Sequence, residues 1–288
     1  MKFESCADKT MKISAKARYA KLWIGYTETV MKIKIISFLL FSFYLIFGSY
    51  ASEIKTVPHV VKLPDTIEDI RIPSTTNYAT LVWLHGGGLA GGKPHFPFSR
   101  DEKIAQMAVK YRLLGKDAKS GVDCIEDAAD AVAWTMKNIH KYGGDTNKIF
   151  LAGMSAGGYL TMMVGMDPKY LAAHGLKNTD LAALIPISGQ ATKHYNVRKF
   201  SGDKDPQFLP KIDDLAPLAH VSADIPPIIS ICGQPPYEWK CRSEENRLLI
   251  ASCIALGHKN AKFIELPYCN HGQAYECALP YLIRYINE

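Results

Sequence analysis

The sequence predicts an α/β domain: a mostly parallel central sheet with helices on both faces. From about residue 80, short β-rich runs alternate with segments whose apolar residues recur at helical spacing. Two of those runs, Leu181 to Ile187 and Ile228 to Cys232, are mostly apolar, as strands covered on both faces are. No internal repeat or low-complexity tract interrupts the alternation. A chain of 288 residues that is 48% apolar and 22% charged excludes a disordered tail, a coiled coil and a collagen-like fibre.

The elements follow in order. Thr80 to Leu84 is an apolar run ending at glycines, and Ala105 to Tyr111 alternates as a strand does. Between Asp123 and His140, the residues Ile125, Ala128, Ala129, Val132, Met136 and Ile139 form one apolar helical face, which Gly143-Gly144-Asp145 stops. Lys148 to Ala152 begins a strand that runs into Gly153-Met154-Ser155-Ala156-Gly157-Gly158, with a helix expected over Ala156 to Gly165. Leu181 to Ile187 and Ile228 to Cys232 read as buried strands. Glu244 to Leu256 reads as a helix, Lys262 to Leu266 as a last strand and Cys277 to Ile286 as a closing helix. Gln190 to Asp224 is richer in Lys, Asp and Pro and lacks periodicity, so it is expected to pass over the sheet as a long excursion.

The formal net charge of +6 is unevenly placed, since residues 1 to 51 hold eight Lys and Arg against three Asp and Glu. The rest is close to neutral and offers no electrostatic case for nucleic acid. Met31-Lys32-Ile33-Lys34, thirteen mostly apolar residues from Ile35 to Phe47 and small residues at Ser49 and Ala51 have the layout of a secretory signal peptide cut after Ala51. Thirteen helical residues rise only about 20 Å against a hydrocarbon core of about 30 Å, so no stable membrane span is expected after processing. Met31 is then the expected start, residues 1–30 a leader upstream of it, and 52–288 the mature domain, secreted or periplasmic; a short membrane anchor with a cytoplasmic tail is the alternative. Cys124, Cys232, Cys241, Cys253, Cys269 and Cys277 permit disulfides without specifying them. Cys269, His271 and Cys277 lack the paired spacing of a zinc site, and no metal or organic cofactor is expected.

Three motifs carry chemistry. Gly153-x-Ser155-x-Gly157 lies between an expected strand and an expected helix, the setting of a nucleophile elbow whose tight turn needs small neighbours. His85-Gly86-Gly87-Gly88 also ends a strand, and three glycines free backbone N–H groups to face a developing oxyanion. Gly87 to Lys93 fits a phosphate-binding loop as well, but Pro94 stands where Ser or Thr should hold magnesium and blocks the helix such a loop feeds. His271 follows the last strand, in the chain order Ser, acid, His. Of the other histidines, His85 is expected to orient the glycine loop, His140 to sit on its helix and His258 to follow a helix end.

Together these motifs resemble the α/β-hydrolase fold carboxylesterases with an HGGG oxyanion loop, the branch holding hormone-sensitive-lipase-like and bacterial acetyl and feruloyl esterases. The resemblance runs from about Thr80 to the C-terminus and includes Tyr111-Arg112-Leu113, Glu126-Asp127-Ala128 and Tyr142-Gly143-Gly144-Asp145. It implies Ser155 as nucleophile, His271 as general base and acid, and the Gly87, Gly88 and Ala156 amides as oxyanion hole. The acid departs from the pattern: Pro236 occupies the place of the usual Asp, three residues beyond Gly233. Glu238 is the nearest carboxylate and is chosen; Glu244, Glu245 and Asp224 are rivals. The expected function is an exported serine esterase acting on a small or carbohydrate-linked ester, with His194, Tyr195 and Arg198 of the excursion as candidate pocket contacts and, equally, candidate surface residues. A prolyl-oligopeptidase-type peptidase is disfavoured because only about 28 residues separate the cleavage site from Thr80, too few for a gating domain. A non-catalytic ligand-binding protein on the same scaffold is the other alternative.

Overall fold

The computed structural model describes residues 55–56, 63–99 and 103–288. The proposed leader and signal peptide lie outside them. Eight strands form one sheet: β1 (Lys55–Thr56), β2 (Ile67–Ile72), β3 (Tyr78–Leu84), β4 (Ile104–Val109), β5 (Gly144–Met154), β6 (Ala183–Ile187), β7 (Ile228–Gly233) and β8 (Ala261–Leu266). Their order is β1-β2-β4-β3-β5-β6-β7-β8. β1 and β2 are antiparallel additions at one edge, and every neighbour from β4 to β8 runs parallel.

The helices are α1 (Gly121–Asn138), α2 (Ala156–Met166), α3 (Lys169–Ala172), α4 (Tyr195–Phe200), α5 (Arg242–Ala255) and α6 (Gln273–Asn287). The expected elements are all present with shifted ends. At the start of α1, the Asp123 carboxylate accepts the Ser120 N–H at 3.2 Å, satisfying a donor the first turn leaves free. A 3-10 turn over Ile139–Tyr142 follows α1, and Gly143 ends it in a left-handed conformation with φ 94°. β5 then starts at Gly144, earlier than the apolar run suggested. α6 begins at Gln273, before the expected Cys277.

Alternation along the strands divides the core into two layers. On one face Val82, Leu84, Met107, Leu151 and Leu184 pack with Ile125 and Val132 of α1, Leu160 of α2 and Leu249 of α5. On the other, Leu81, Trp83, Ala152, Ile185 and Ile231 pack with Ala278, Leu282 and Ile286 of α6. Burying both faces explains why β3, β4, β6 and β7 are apolar apart from the buried Thr80, Gln106 and Ser230. The chain moves from β3 outward to β4, then crosses back to β5 on the other side of β3. The C-terminal ends of β3 and β5 therefore flank the point where strand order reverses, the usual crevice for a ligand in an open parallel sheet.

Candidate active site

Ser155 stands at that crevice, between β5 and α2. Its φ of 55° and ψ of −112° are a strained combination for a side chain, held by donation of its N–H to the Ile187 carbonyl at 2.8 Å. The turn works because its neighbours lack side chains. A Cβ on Gly153 would lie 2.6 Å from the Gly157 carbonyl, and one on Gly157 would run into the Leu84 carbonyl oxygen.

The structure brings the expected trio together. Ser155 Oγ lies 2.8 Å from His271 Nε2, and His271 Nδ1 lies 2.7 Å from Glu238 Oε1. Because a carboxylate only accepts, Nδ1 carries the proton and Nε2 is left to accept from the serine hydroxyl. His271 comes from the loop between β8 and α6, where Asn270 and Gln273 exchange side-chain-to-backbone hydrogen bonds. Glu238 comes from the loop after β7. Its Oε1 also accepts the Trp239 N–H, and its Oε2 accepts Ser188 Oγ–H at 2.6 Å and the Gly233 N–H. Burial pushes the Glu238 carboxyl up, but the bond and charge of His271, with the donors Ser188 and Trp239, outweigh it and hold the group below the ordinary range.

The rival carboxylates are elsewhere. Glu244 is exposed in the first turn of α5. Glu245 is buried and accepts from the amides of Ala191 and Thr192 and from Thr192 Oγ1, so it ties the excursion to α5. Burial holds the Glu245 carboxyl above its ordinary value. Asp224 is exposed at the opposite, N-terminal end of β7.

The glycine loop closes one side of the crevice. Gly87 and Gly88 have φ of 120° and 64°, and among the described residues neither their amides nor that of Ala156, first in α2, has a hydrogen-bond acceptor. His85 braces this loop from beneath: it stacks on Tyr111 at 4.2 Å, its Nδ1 donates to the Gly86 carbonyl at 2.7 Å, and Tyr111 donates to the His85 carbonyl at 2.8 Å. Asn196 Nδ2 donates to the Gly88 carbonyl at 2.6 Å, docking α4 onto the loop. No helix follows Lys93 among the described residues until α1, which agrees with rejecting a phosphate loop.

A cavity of about 410 Å³ opens over these groups, lined by Gly86, Gly87, Gly88, His95, Met154, Ser155, Tyr195, Trp239, His271, Gly272 and Tyr275. Tyr195 therefore lines it, as expected of the excursion. His194 and Arg198 do not. His194 is buried between Tyr159 and Tyr195, and Arg198 is buried with its guanidinium on Asp203 and the Leu209 carbonyl, stapling the excursion's own loop. Sequence reasoning did not find Ser188, Trp239 or Asn196, whose partners lie 50, 32 and 108 residues away and leave no local pattern. Cys269 and Cys277 lie together beside the His271 loop, and among the described residues no group of three His, Cys, Asp or Glu is placed to hold a metal ion.

With this geometry in hand, the chain compares with known proteins as follows. Residues 68–178 match the family model described as BD-FAE. Esterase LipC of Mycobacterium tuberculosis is 28% identical over 212 residues, 66% of this chain and 50% of that protein. Phenmedipham hydrolase of Pseudarthrobacter oxydans is 36% identical over 98 residues, 31% of this chain and 20% of that protein. The chain thus spans half or less of the length of these curated relatives. Among solved structures, the thermophilic esterase of the Planctomycetes species Thermogutta terrifontis superposes with a TM-score of 0.62 at 20% identity, covering 82% of this chain and 92% of that one. The likeness to HGGG-loop esterases read from the motifs is thereby upheld.

Proposed function

We propose that this chain, which has the α/β-hydrolase fold and resembles the HGGG-loop esterases, is a serine carboxylic-ester hydrolase. The observation that carries the reading is the continuous hydrogen-bonded path Ser155 Oγ, His271, Glu238, ending under a cavity into which unpaired amides are available. Ser155 Oγ attacks the ester carbonyl as its proton passes to His271 Nε2. Glu238 keeps the imidazole in the tautomer that can accept that proton, and stabilises the imidazolium. The Gly87, Gly88 and Ala156 N–H groups hold the oxyanion of the tetrahedral intermediate, as preorganised donors do in such sites. His271 then protonates the leaving alcohol, and water, activated by the same imidazole, releases the acid from Ser155.

The substrate in this reading is a small or carbohydrate-linked ester. A cavity of about 410 Å³ walled by Met154, Tyr195, Trp239 and Tyr275 suits a short acyl group. The Thermogutta esterase, solved with propionate and with butyrate bound, lends support to that size. The basic start, short apolar run and small residues of 31–51 support export and a secreted or periplasmic site of action. The contact of Glu238 with His271 speaks against a non-catalytic binding protein, whose motive was the missing acid at Pro236.

The test is a panel of p-nitrophenyl esters and peptide amides, given to the protein and to its Ser155→Ala variant. Hydrolysis of short esters by the wild type, falling by at least about 1,000-fold in the variant, is the expected result. Equal rates for the two proteins would remove the serine mechanism, and turnover confined to the amides would favour a peptidase.

A further inference from the structure

The indole of Trp239 lies flat on the imidazole of His271, with centroids 3.8 Å apart and planes 12° from parallel. The Trp239 N–H donates to Glu238 Oε1 at 2.8 Å, the same oxygen that receives the His271 Nδ1 proton. One residue thus contacts the base through its ring and the acid through its amide. The indole is held in this pose by Tyr195 at 6.3 Å and Phe208 at 5.8 Å, and by the buried Arg242 guanidinium 5.8 Å from the ring centroid.

A neutral imidazole gains only dispersion and quadrupole matching from such a stack. An imidazolium gains more, because a cation over the negative face of an indole is attracted electrostatically. We propose that Trp239 stabilises the protonated state of His271 and holds the ring in line with Ser155, an inference that rests on the serine-hydrolase reading. The contact strengthens as Ser155 transfers its proton, so it lowers the barrier and adds little to ground-state binding. The other groups facing His271 are Glu238 from the loop after β7, Ser155 from the elbow, and His95, Tyr195 and Tyr275 around the cavity, with Arg242 of α5 on the far contact of Trp239. Of these, only Glu238 also favours the imidazolium.

The experiment compares Trp239→Leu and Trp239→Phe with wild type on a short p-nitrophenyl ester. In Trp239→Leu, kcat falls about tenfold while KM changes by less than about threefold, and Trp239→Phe regains most of the loss. Removing the partner of the protonated base also moves the acid limb of the kcat/KM profile toward lower pH in Trp239→Leu. Independently of turnover, tryptophan fluorescence drops as pH falls through that limb in the wild type and in Ser155→Ala, and the drop is missing in Trp239→Phe. A Leu variant with wild-type kcat and an unmoved profile overturns the proposal. So does a rise in KM alone in both variants, which would make the indole a pocket wall. Failure of every protein to hydrolyse any ester would sink the hydrolase reading, and the fluorescence step would then decide the stack by its presence or absence.

Discussion

Glu238 Oε1 reaches His271 Nδ1 at 2.7 Å from a position two residues beyond Pro236, where the resemblance would put the acid. The loop geometry explains how. The N–H groups of Tyr237 and Glu238 both donate to the Gln234 carbonyl, at 2.9 and 3.1 Å, folding the chain back over the end of β7. Glu238 then lies over Gly233, where even a Cβ would stand only 3.0 Å from its Oε2. The turn closed on the Gln234 carbonyl and the length of the glutamate side chain deliver a carboxylate to the imidazole from this later position.

That placement predicts that Glu238→Gln lowers kcat on a p-nitrophenyl ester by about 1,000-fold or more, because an amide in this position can present its N–H to Nδ1 and select the wrong tautomer. Glu244→Gln and Asp224→Asn, both exposed and away from His271, should leave kcat within about twofold. A Glu244→Gln enzyme as slow as Glu238→Gln would reassign the acid.

The same carboxylate makes stability depend on pH with a definite sign. Its folded value is held below that of the unfolded chain, about 4.3 for a glutamate, so the unfolded state binds more protons in the window between the two. The stability it contributes is fully present above that window and is lost as pH falls through the folded value. Urea unfolding of wild type and Glu238→Gln should show a gap at pH 7 that narrows by pH 3. A gap that stays constant, or widens in acid, would contradict the assignment.

The elbow predicts a steric limit. A Cβ on Gly157 meets the Leu84 carbonyl oxygen, and backbone in the centre of the sheet cannot yield as a side-chain tip can. Gly157→Ala should therefore cost about 3 kcal/mol in thermal or denaturant unfolding and abolish turnover. Gly91→Ala, whose nearest neighbour is 3.6 Å away, should cost less than about 1 kcal/mol and serves as the control. Comparable stability of the two variants would mean that β3 and the elbow are less tightly apposed than the structure has them.

These residues also mark what was legible in the sequence. The glycine loop and the elbow could be read because their chemistry is local: each is a short run at a strand end. α1 could be read because Ile125, Ala128, Val132 and Ile139 repeat at helical spacing over a long stretch. β2 was not, because Ile-Glu-Asp-Ile-Arg-Ile breaks alternation at a register shift between Ile67 and Asp69. The acid was read only as the nearest of several carboxylates, since the turn that brings it round is set by backbone bonds to Gln234. Arg198 was misplaced for a related reason: an arginine in an aperiodic segment carries no sign of whether it faces a cavity or staples its own loop.

The excursion supplies the last prediction. Asn196, at the start of α4, donates to the Gly88 carbonyl at 2.6 Å and so fixes a peptide unit next to the amides proposed to bind the oxyanion. Its own N–H is held by His194 Nδ1 at 3.2 Å, and the neighbouring Tyr195 N–H by Gln190 Oε1, so the donor is rigidly presented. Asn196→Ala removes one hydrogen bond worth about 1 kcal/mol, and a freed Gly88 at φ 64° can rotate its peptide away from the site. The expected outcome is a fall in kcat of about tenfold, at nearly unchanged KM, together with weaker binding of a boronic acid that mimics the tetrahedral intermediate. Under the proposed role of Gly88, its amide meets the oxyanion and not the ground-state carbonyl, so equal losses in kcat and boronate affinity identify loop positioning as the cause. A loss in melting temperature with no change in boronate binding would instead make Asn196 a support for the excursion alone.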